Sequence, residues 1–289
     1  MTELNFDTKI LIVGLGVIGG GYAKALTYRG YKHVRCITKE PKDVDYAIAH
    51  GMIEYGTSEI DEALIAESEL IVFALYPHVF REWVEDNQHL FSPGTIITDV
   101  TGVKSGIVRE IQAILRPDVE FISAHPMAGR EKSGVEYSNA EVFRGANYIV
   151  VPTDKNTENA IAICSKLGEE LGFAKISELS IEEHDEMIAF LSQLTHCIAV
   201  TLMTSNSSDG LEKYTGDSFR DLTRIAKIND LMWSELFMQN REALLAEMDS
   251  FSKKFNEFRE MLERGDAEAM RSKMRLASNR RELFDKPTK

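Results

Sequence analysis

The chain has 289 residues, 44% of them hydrophobic and 27% charged, an ordinary globular composition that allows about two domains at roughly 150 residues each. Its net charge of −13, with no basic stripe interleaved with aromatics, argues against nucleic acid as a partner. Three scattered cysteines without CxxC spacing and seven histidines without HExxH or clustered spacing argue against a disulfide framework and against a metal site.

Glu3 and Asp7 leave no room for a signal peptide's basic and apolar regions. No apolar run is expected to reach the roughly 18 residues of a bilayer span, so no membrane is expected as a partner and the expected location is cytoplasmic. Lys9-Ile-Leu-Ile-Val13 is a continuous apolar run of the kind buried on both faces of a parallel sheet. It leads into Gly14-Leu-Gly-Val-Ile-Gly19 and a helical pattern ended by Gly30. A GxGxxG match alone is weak, but between a strand and a helix it reads as a dinucleotide fingerprint. Gly14 would permit the tight turn, Gly16 the approach of the pyrophosphate and Gly19 close helix packing, with Val17 and Ile18 opening the helix whose amino terminus attracts the anion. The second strand, His33 to Thr38, ends on Thr38-Lys39 where an Asp or Glu usually meets the adenosine ribose. A hydroxyl and an ammonium there favour NADP, with NAD also admitted.

Further strands are expected at Leu70 to Leu75, Thr95 to Thr98, Val119 to Ser123 and Tyr148 to Val151, alternating with helices, which predicts a doubly wound parallel sheet. Leu75, the Tyr76-Pro77 turn and the Asp99-Val-Thr-Gly-Val-Lys104 loop should then lie on the ligand-binding edge, although each loop also fits ordinary turn chemistry. Ser123-Ala-His-Pro-Met-Ala-Gly-Arg-Glu-Lys-Ser-Gly134 places an imidazole, His125, where strand is expected to give way to loop. The following Pro keeps His125 out of helix, Gly129 allows a bend, and such a histidine is a candidate acid or base.

After Pro152-Thr153 the pattern becomes helical almost to the end, with no further parallel strand expected. The predicted division is therefore 1–153, a dinucleotide-binding domain, and 154–289, an all-helical domain. Ser180 and Glu183 form a candidate capping box for a long helix. At 100° per residue, Asp185, Ala189, Ser192, His196 and Ala199 share one narrow face, and Met187, Phe190, Leu191, Leu194, Ile198 and Leu202 share the opposite one, read as core. His196 is either a ligand contact or a satisfied buried histidine. Asp221 and Arg224 could pair at i,i+3, or Arg224 could clamp a carboxylate with its planar fork. Phe251, Phe255, Phe258 and Leu262 form a stripe suited to core or subunit interface.

With these residues in view, the chain resembles the prephenate and arogenate dehydrogenases of tyrosine biosynthesis, the TyrA family. The resemblance covers nearly the whole chain and is carried by Gly14 to Gly20, Asp99 to Lys104, His125 to Gly134, Ser192-Gln-Leu-Thr-His196 and Phe219-Arg-Asp-Leu-Thr-Arg-Ile-Ala226. It implies a Rossmann-type α/β domain followed by an all-helical dimerisation domain, a homodimer, and oxidative decarboxylation of prephenate to 4-hydroxyphenylpyruvate. By the same resemblance His125 takes the proton of the ring hydroxyl, Arg224 holds a substrate carboxylate with Asp221 orienting it, and His196 lines the pocket. Thr101, Gly102, Glu131, Lys132 and Trp233 would complete the pocket and its rim. The sequence departs from the family's frequent Gly-Ser at Thr101-Gly102, and carries Thr195 in place of its usual Pro. Neither a regulatory ACT domain nor a fused chorismate mutase is expected. The alternatives are oxidation of arogenate, another hydroxy-acid dehydrogenase of the 6-phosphogluconate type, which would use a lysine where this chain offers His196, and an NADP-sensing protein without turnover.

Overall fold

The computed structural model describes residues 3–129, 132 and 134–285. Its first part alternates strand and helix as β1 (Lys9–Val13), α1 (Val17–Arg29), β2 (His33–Ile37), α2 (Pro41–Ala49), β3 (Tyr55–Thr57), α3 (Glu62–Glu67), β4 (Leu70–Phe73), α4 (Pro77–Asn87), β5 (Ile96–Asp99), α5 (Ile107–Ile114) and β6 (Glu120–Phe121). These strands form one parallel sheet in the order β3-β2-β1-β4-β5-β6. The order reverses between β1 and β4, and in open α/β sheets the crevice at such a switch point receives the ligand. Because side chains alternate along a strand, β1 feeds two cores: Ile10 and Ile12 join the cluster under α1, whereas Leu11 and Val13 join Phe80, Val84, Val108 and Ile111 on the other face. Burial on both faces is why this strand has no polar alternation.

The expected strand from Val119 to Ser123 divides. β6 closes the parallel sheet, and β7 (Ser123–Pro126) turns away to pair antiparallel with β8 (Asn147–Val151), to which β9 (Lys175–Glu178) adds in parallel. His125 therefore lies within a strand, opposite Ile149, rather than in a loop beyond one. The expectation of no parallel strand after Pro152 is also corrected. Between β8 and β9, α6 (Glu158–Glu170) buries Ala160, Ile163, Cys164 and Leu167 in the same core as Ile10 and Val150. The helical part thus begins after Glu178, not at residue 154.

That part opens with α7 (Ile181–Ile188), a π-helical turn (Ala189–Leu194) and α8 (Thr195–Thr204), followed by α9 (Asp217–Thr223) and α10 (Asp230–Gln239). Ser180 and Glu183 make the expected capping box. The face assignment is corrected in part: Leu194 is buried and Met187 packs against the core as expected, but most of the narrow face is buried too. Asp185, Ala189 and Ala199 are buried, whereas Phe190 and Leu191 are exposed. The two exposed side chains lie within a wide π turn with five-residue spacing, Ala189–Leu194. Ile181–Thr204 is 24 residues long with hydropathy 1.5, enough by length and composition to cross a bilayer, where no such run was expected. Its acidic residues crowd into positions 182–186, leaving 187–204 without Asp, Glu, Lys or Arg. It buries His184, Asp185 and Gln193 while Phe190, Leu191 and Met203 are exposed.

Residues 241–285 form a separate compact unit. It consists of α11 (Arg241–Glu263) and α12 (Ala267–Glu282), with α12 capped by Asp266.

Candidate active site

At the switch point the glycines do what their spacing requires. Gly14 has φ +97°, and a Cβ there would come within 2.6 Å of the Ala74 carbonyl oxygen and 2.8 Å of Leu75. A Cβ on Gly19 would lie 2.0 Å from the Gly14 oxygen, so only glycine lets α1 approach β1 so closely. Gly16 differs: a Cβ there would meet nothing within 4 Å, which leaves open space at the amino terminus of α1. The first turn of α1 has no acidic residue and no side-chain cap, so its N–H groups are available to an anion. These residues fit a dinucleotide pyrophosphate. Thr38, at the end of β2, is buried and accepts a hydrogen bond from the Leu15 backbone N–H (3.3 Å), while Lys39 is exposed beside it.

Below this edge lies a buried polar network that the sequence reading missed. Lys104 and Asp99 are fully buried and paired at 2.8 Å. The Lys104 ammonium also donates to the Ala124 carbonyl (2.7 Å) and Thr101 Oγ1 (3.1 Å). Asp99 accepts further from the Thr101 N–H (3.0 Å) and hydroxyl, Ser123 Oγ (2.6 Å) and the Ala124 N–H (3.1 Å). Burial lowers the Lys104 pKa, partly offset by Asp99. The network fixes both polar backbone groups of Ala124, the residue before His125.

Thr101 belongs to that network rather than to an open pocket wall. It is buried, and its hydroxyl is engaged with Asp99 and the Val103 carbonyl. Gly102 beside it is half-buried: a Cβ there would lie 3.9 Å from His125 Nε2 and 3.7 Å from Leu236 of α10. The other ring nitrogen, His125 Nδ1, is 2.8 Å from His184 Nε2, and His184 Nδ1 is 2.7 Å from Asp185 Oδ1. Asp185 also accepts from the backbone N–H groups of Lys104 (2.9 Å) and Ser105 (2.7 Å). Burial, then the nearby His184 and Lys104, hold the His125 pKa well below its usual value. For Asp185 burial works upward, but the hydrogen bonds from His184 and the two backbone N–H groups prevail and hold the carboxyl below its usual range.

His196 stacks against Trp233 of α10 with ring centroids 3.7 Å apart, and its Nδ1 meets the Ser192 carbonyl at 2.9 Å. Gln193 donates to the Leu236 carbonyl, and Asn240 bridges Gln193 and the Asp185 carbonyl. Arg224 is exposed in a 3₁₀ turn after α9. On the preceding helix Arg220 pairs with Asp217 at 3.0 Å, and Asp221 is exposed. Lys132 is exposed with its ammonium 4.7 Å above the Tyr137 ring. Glu131 and Arg130 lie outside the described residues.

His184 and Asp185 escaped the sequence reading although Asp185 had been placed on the same face as His196. The available signal was a carboxylate on a face of small residues, next to a second histidine.

Comparison with known proteins agrees with this architecture. The family model for the prephenate dehydrogenase nucleotide-binding domain matches residues 22–177, and that for the prephenate dehydrogenase dimerization domain matches residues 180–276. The chain is 28% identical over 267 residues to prephenate dehydrogenase of Bacillus subtilis, covering 90% of this chain and 71% of that protein. It is 29% identical over 249 residues to cyclohexadienyl dehydrogenase of Zymomonas mobilis, covering 84% of each. A crystal structure of prephenate dehydrogenase from A. aeolicus in complex with hydroxyphenyl propionate and NAD+ superposes with a TM-score of 0.89 at 30% identity, over 96% of this chain and 98% of that one. The two matched segments meet between residues 177 and 180, where β9 ends and the α7 cap begins, and the chain belongs to the prephenate dehydrogenase family.

Proposed function

We propose that this protein oxidises prephenate with loss of CO2 to 4-hydroxyphenylpyruvate, using NAD(P)+, in the biosynthesis of tyrosine. The observation that carries the reading is the His125 ring, engaged at Nδ1 by His184 and turned at Nε2 toward Gly102. The nicotinamide, when bound, supplies the hydride acceptor. Decarboxylation aromatises the ring and provides much of the driving force, which leaves the protein two tasks, orientation and proton removal.

His125 Nε2 accepts the proton of the ring hydroxyl as the hydroxyl-bearing carbon becomes a carbonyl. Gly102, lacking a side chain, leaves the substrate room against that nitrogen. The stacked His196–Trp233 pair forms a wall of the pocket. Arg224 binds a substrate carboxylate through its guanidinium fork. Lys132 belongs to the rim. Gly14, Gly16, Val17, Ile18 and Gly19 hold the pyrophosphate, and Leu75 flanks the nucleotide at the switch point.

The nucleotide preference proposed is NADP. Thr38 accepts from Leu15 and retains its hydroxyl proton for donation, and Lys39 supplies positive charge at the ribose edge. The double change Thr38→Asp with Lys39→Ala should shift the ratio of kcat/KM values toward NAD by roughly 2- to 5-fold, the scale of a solvated charge pair. Better turnover with NAD in the unaltered protein would refute that preference. A homodimer through the helical half is also proposed, supported by the matched dimerization domain and by exposed Phe190, Leu191 and Leu231.

The reaction is tested by following reduced nicotinamide on addition of prephenate or arogenate with each nucleotide. Oxidation of prephenate well above that of arogenate is expected. Absence of turnover with either substrate would refute the assignment.

A further inference from the structure

Behind His125 stand two buried titratable groups that the reaction as described does not use. His184 is completely buried and Asp185 nearly so. The three side chains form one line: His125 Nδ1 to His184 Nε2 at 2.8 Å, then His184 Nδ1 to Asp185 Oδ1 at 2.7 Å. The far end is anchored, because Asp185 receives the backbone N–H groups of Lys104 and Ser105 and its own carbonyl is held by Asn240.

The donors along this line are dictated by its end. An ionised carboxylate only accepts, so His184 carries its proton on Nδ1. A neutral His184 then presents a lone pair at Nε2, and His125 must donate from Nδ1 to meet it. Only that tautomer leaves a lone pair on His125 Nε2, the nitrogen facing Gly102. The charged groups around the two rings are Lys104, Asp99 and Asp185. Burial and Lys104 press both imidazoles toward the neutral form, with Asp185 and Asp99 opposing at His184.

We propose that His184, backed by Asp185, is a positioning residue that holds His125 in the tautomer with its base at Nε2 and stabilises the imidazolium formed there when the substrate hydroxyl gives up its proton. In that step the substrate O–H bond breaks and a bond from hydrogen to His125 Nε2 forms. The Nδ1–H bond stays in place, donating more strongly to His184 as charge develops. Nothing else in the line needs to move. An apolar side chain at 184 would fill the same volume but leave Nδ1–H without an acceptor and the ring free to present the wrong nitrogen.

The role in turnover depends on the proposed reaction, whereas the tautomer does not, and the tests separate them. In unliganded protein labelled with 15N-histidine, with the signal assigned by its loss in His125→Asn, the neutral His125 ring should carry its proton on Nδ1. A proton on Nε2 would overturn the proposal even if prephenate is turned over. In kinetics, His184→Leu should lower kcat by roughly 100-fold or more, within the range of a mispositioned base. KM for prephenate and the affinity for nucleotide should stay within about 2-fold. His184→Gln, whose amide oxygen can accept from His125 Nδ1–H, should regain at least about 10-fold of that loss. A Leu variant with near-normal kcat would overturn the proposal, as would equal losses in the Leu and Gln variants. An unaltered protein inert toward prephenate and arogenate would refute the assigned reaction, and the 15N signal would still decide the geometry.

Discussion

Lys104→Met tests whether the buried ion pair holds the fold around the base. The substitution keeps a long unbranched side chain and the backbone N–H that Asp185 accepts, but it removes the ammonium from Asp99, Thr101 and the Ala124 carbonyl. Asp99 would keep its donors from Thr101, Ser123 and Ala124. It would lose its paired cation, and the Ala124 carbonyl would lose the donor 2.7 Å away. Removing one partner of a buried pair costs about 3–5 kcal/mol, because the remaining charge is left uncompensated. Against a total stability of roughly 5–15 kcal/mol this is a large share. At about 2–4 °C per kcal/mol for a chain of this size, Tm should fall by roughly 6–20 °C. Adding Asp99→Asn should recover much of that loss, since the second change removes the stranded charge. The assay is thermal and urea unfolding of the single and double variants. A Tm within about 3 °C of the unaltered protein for Lys104→Met would refute the view that the pair organises this region.

Three further outcomes are expected. His125→Asn should keep nucleotide binding but lose roughly 100- to 10,000-fold in kcat, and near-normal turnover would remove His125 from its role. Because the base acts in its neutral form and its pKa is held well below 6.5 by burial, His184 and Lys104, the acid limb of kcat/KM should fall below pH 6.5; a limb centred at or above that value would contradict the environment described. The same depression means that protonation favours the unfolded chain, so stability from this group is complete above the unfolded pKa and declines as pH falls toward the folded one, a trend readable in urea midpoints. Arg224→Gln should raise KM for prephenate by at least about 10-fold with little change in Tm, the scale of a lost charge-assisted bond to a carboxylate.

What could be read from the sequence is what local chemistry decides. The apolar run of β1 announces a strand buried on both faces, and of the glycines after it Gly14 and Gly19 stand where a Cβ would clash. The Ser180–Glu183 cap is equally local. His125 stood out by its neighbours, yet its placement in β7 depends on pairing with β8, more than twenty residues further along the chain. The Ile181–Thr204 helix buries Asp185, Ala189 and Ala199 of the counted narrow face, whereas Phe190 and Leu191 are exposed within the π turn at Ala189–Leu194, which leaves no signature in a 100° wheel. What the departure from Gly-Ser at Thr101-Gly102 does to the site was not legible, because it depends on the buried Asp99, which claims the Thr101 side chain.

The base itself is built across the chain. β7 brings His125, and Asp99 at the end of β5 fixes the backbone of Ala124 before it. The Asp99–Lys104 loop then turns two backbone N–H groups toward Asp185 on α7, and Ser105 reaches the Gln239 carbonyl at the end of α10. Asn240 and Gln193 tie α10 back to the Ile181–Thr204 helix. The sheet half therefore supplies the ring that accepts the proton, and the helical half supplies the partner that decides which of its nitrogens is free. Separating the halves would leave an imidazole with no fixed tautomer on one side and a buried histidine–carboxylate pair with nothing to orient on the other. That mutual dependence explains why so short a loop carries a fully buried lysine. The loop must keep its shape to within a hydrogen bond's tolerance at both ends, and an ion pair shielded from water makes any departure from that shape costly.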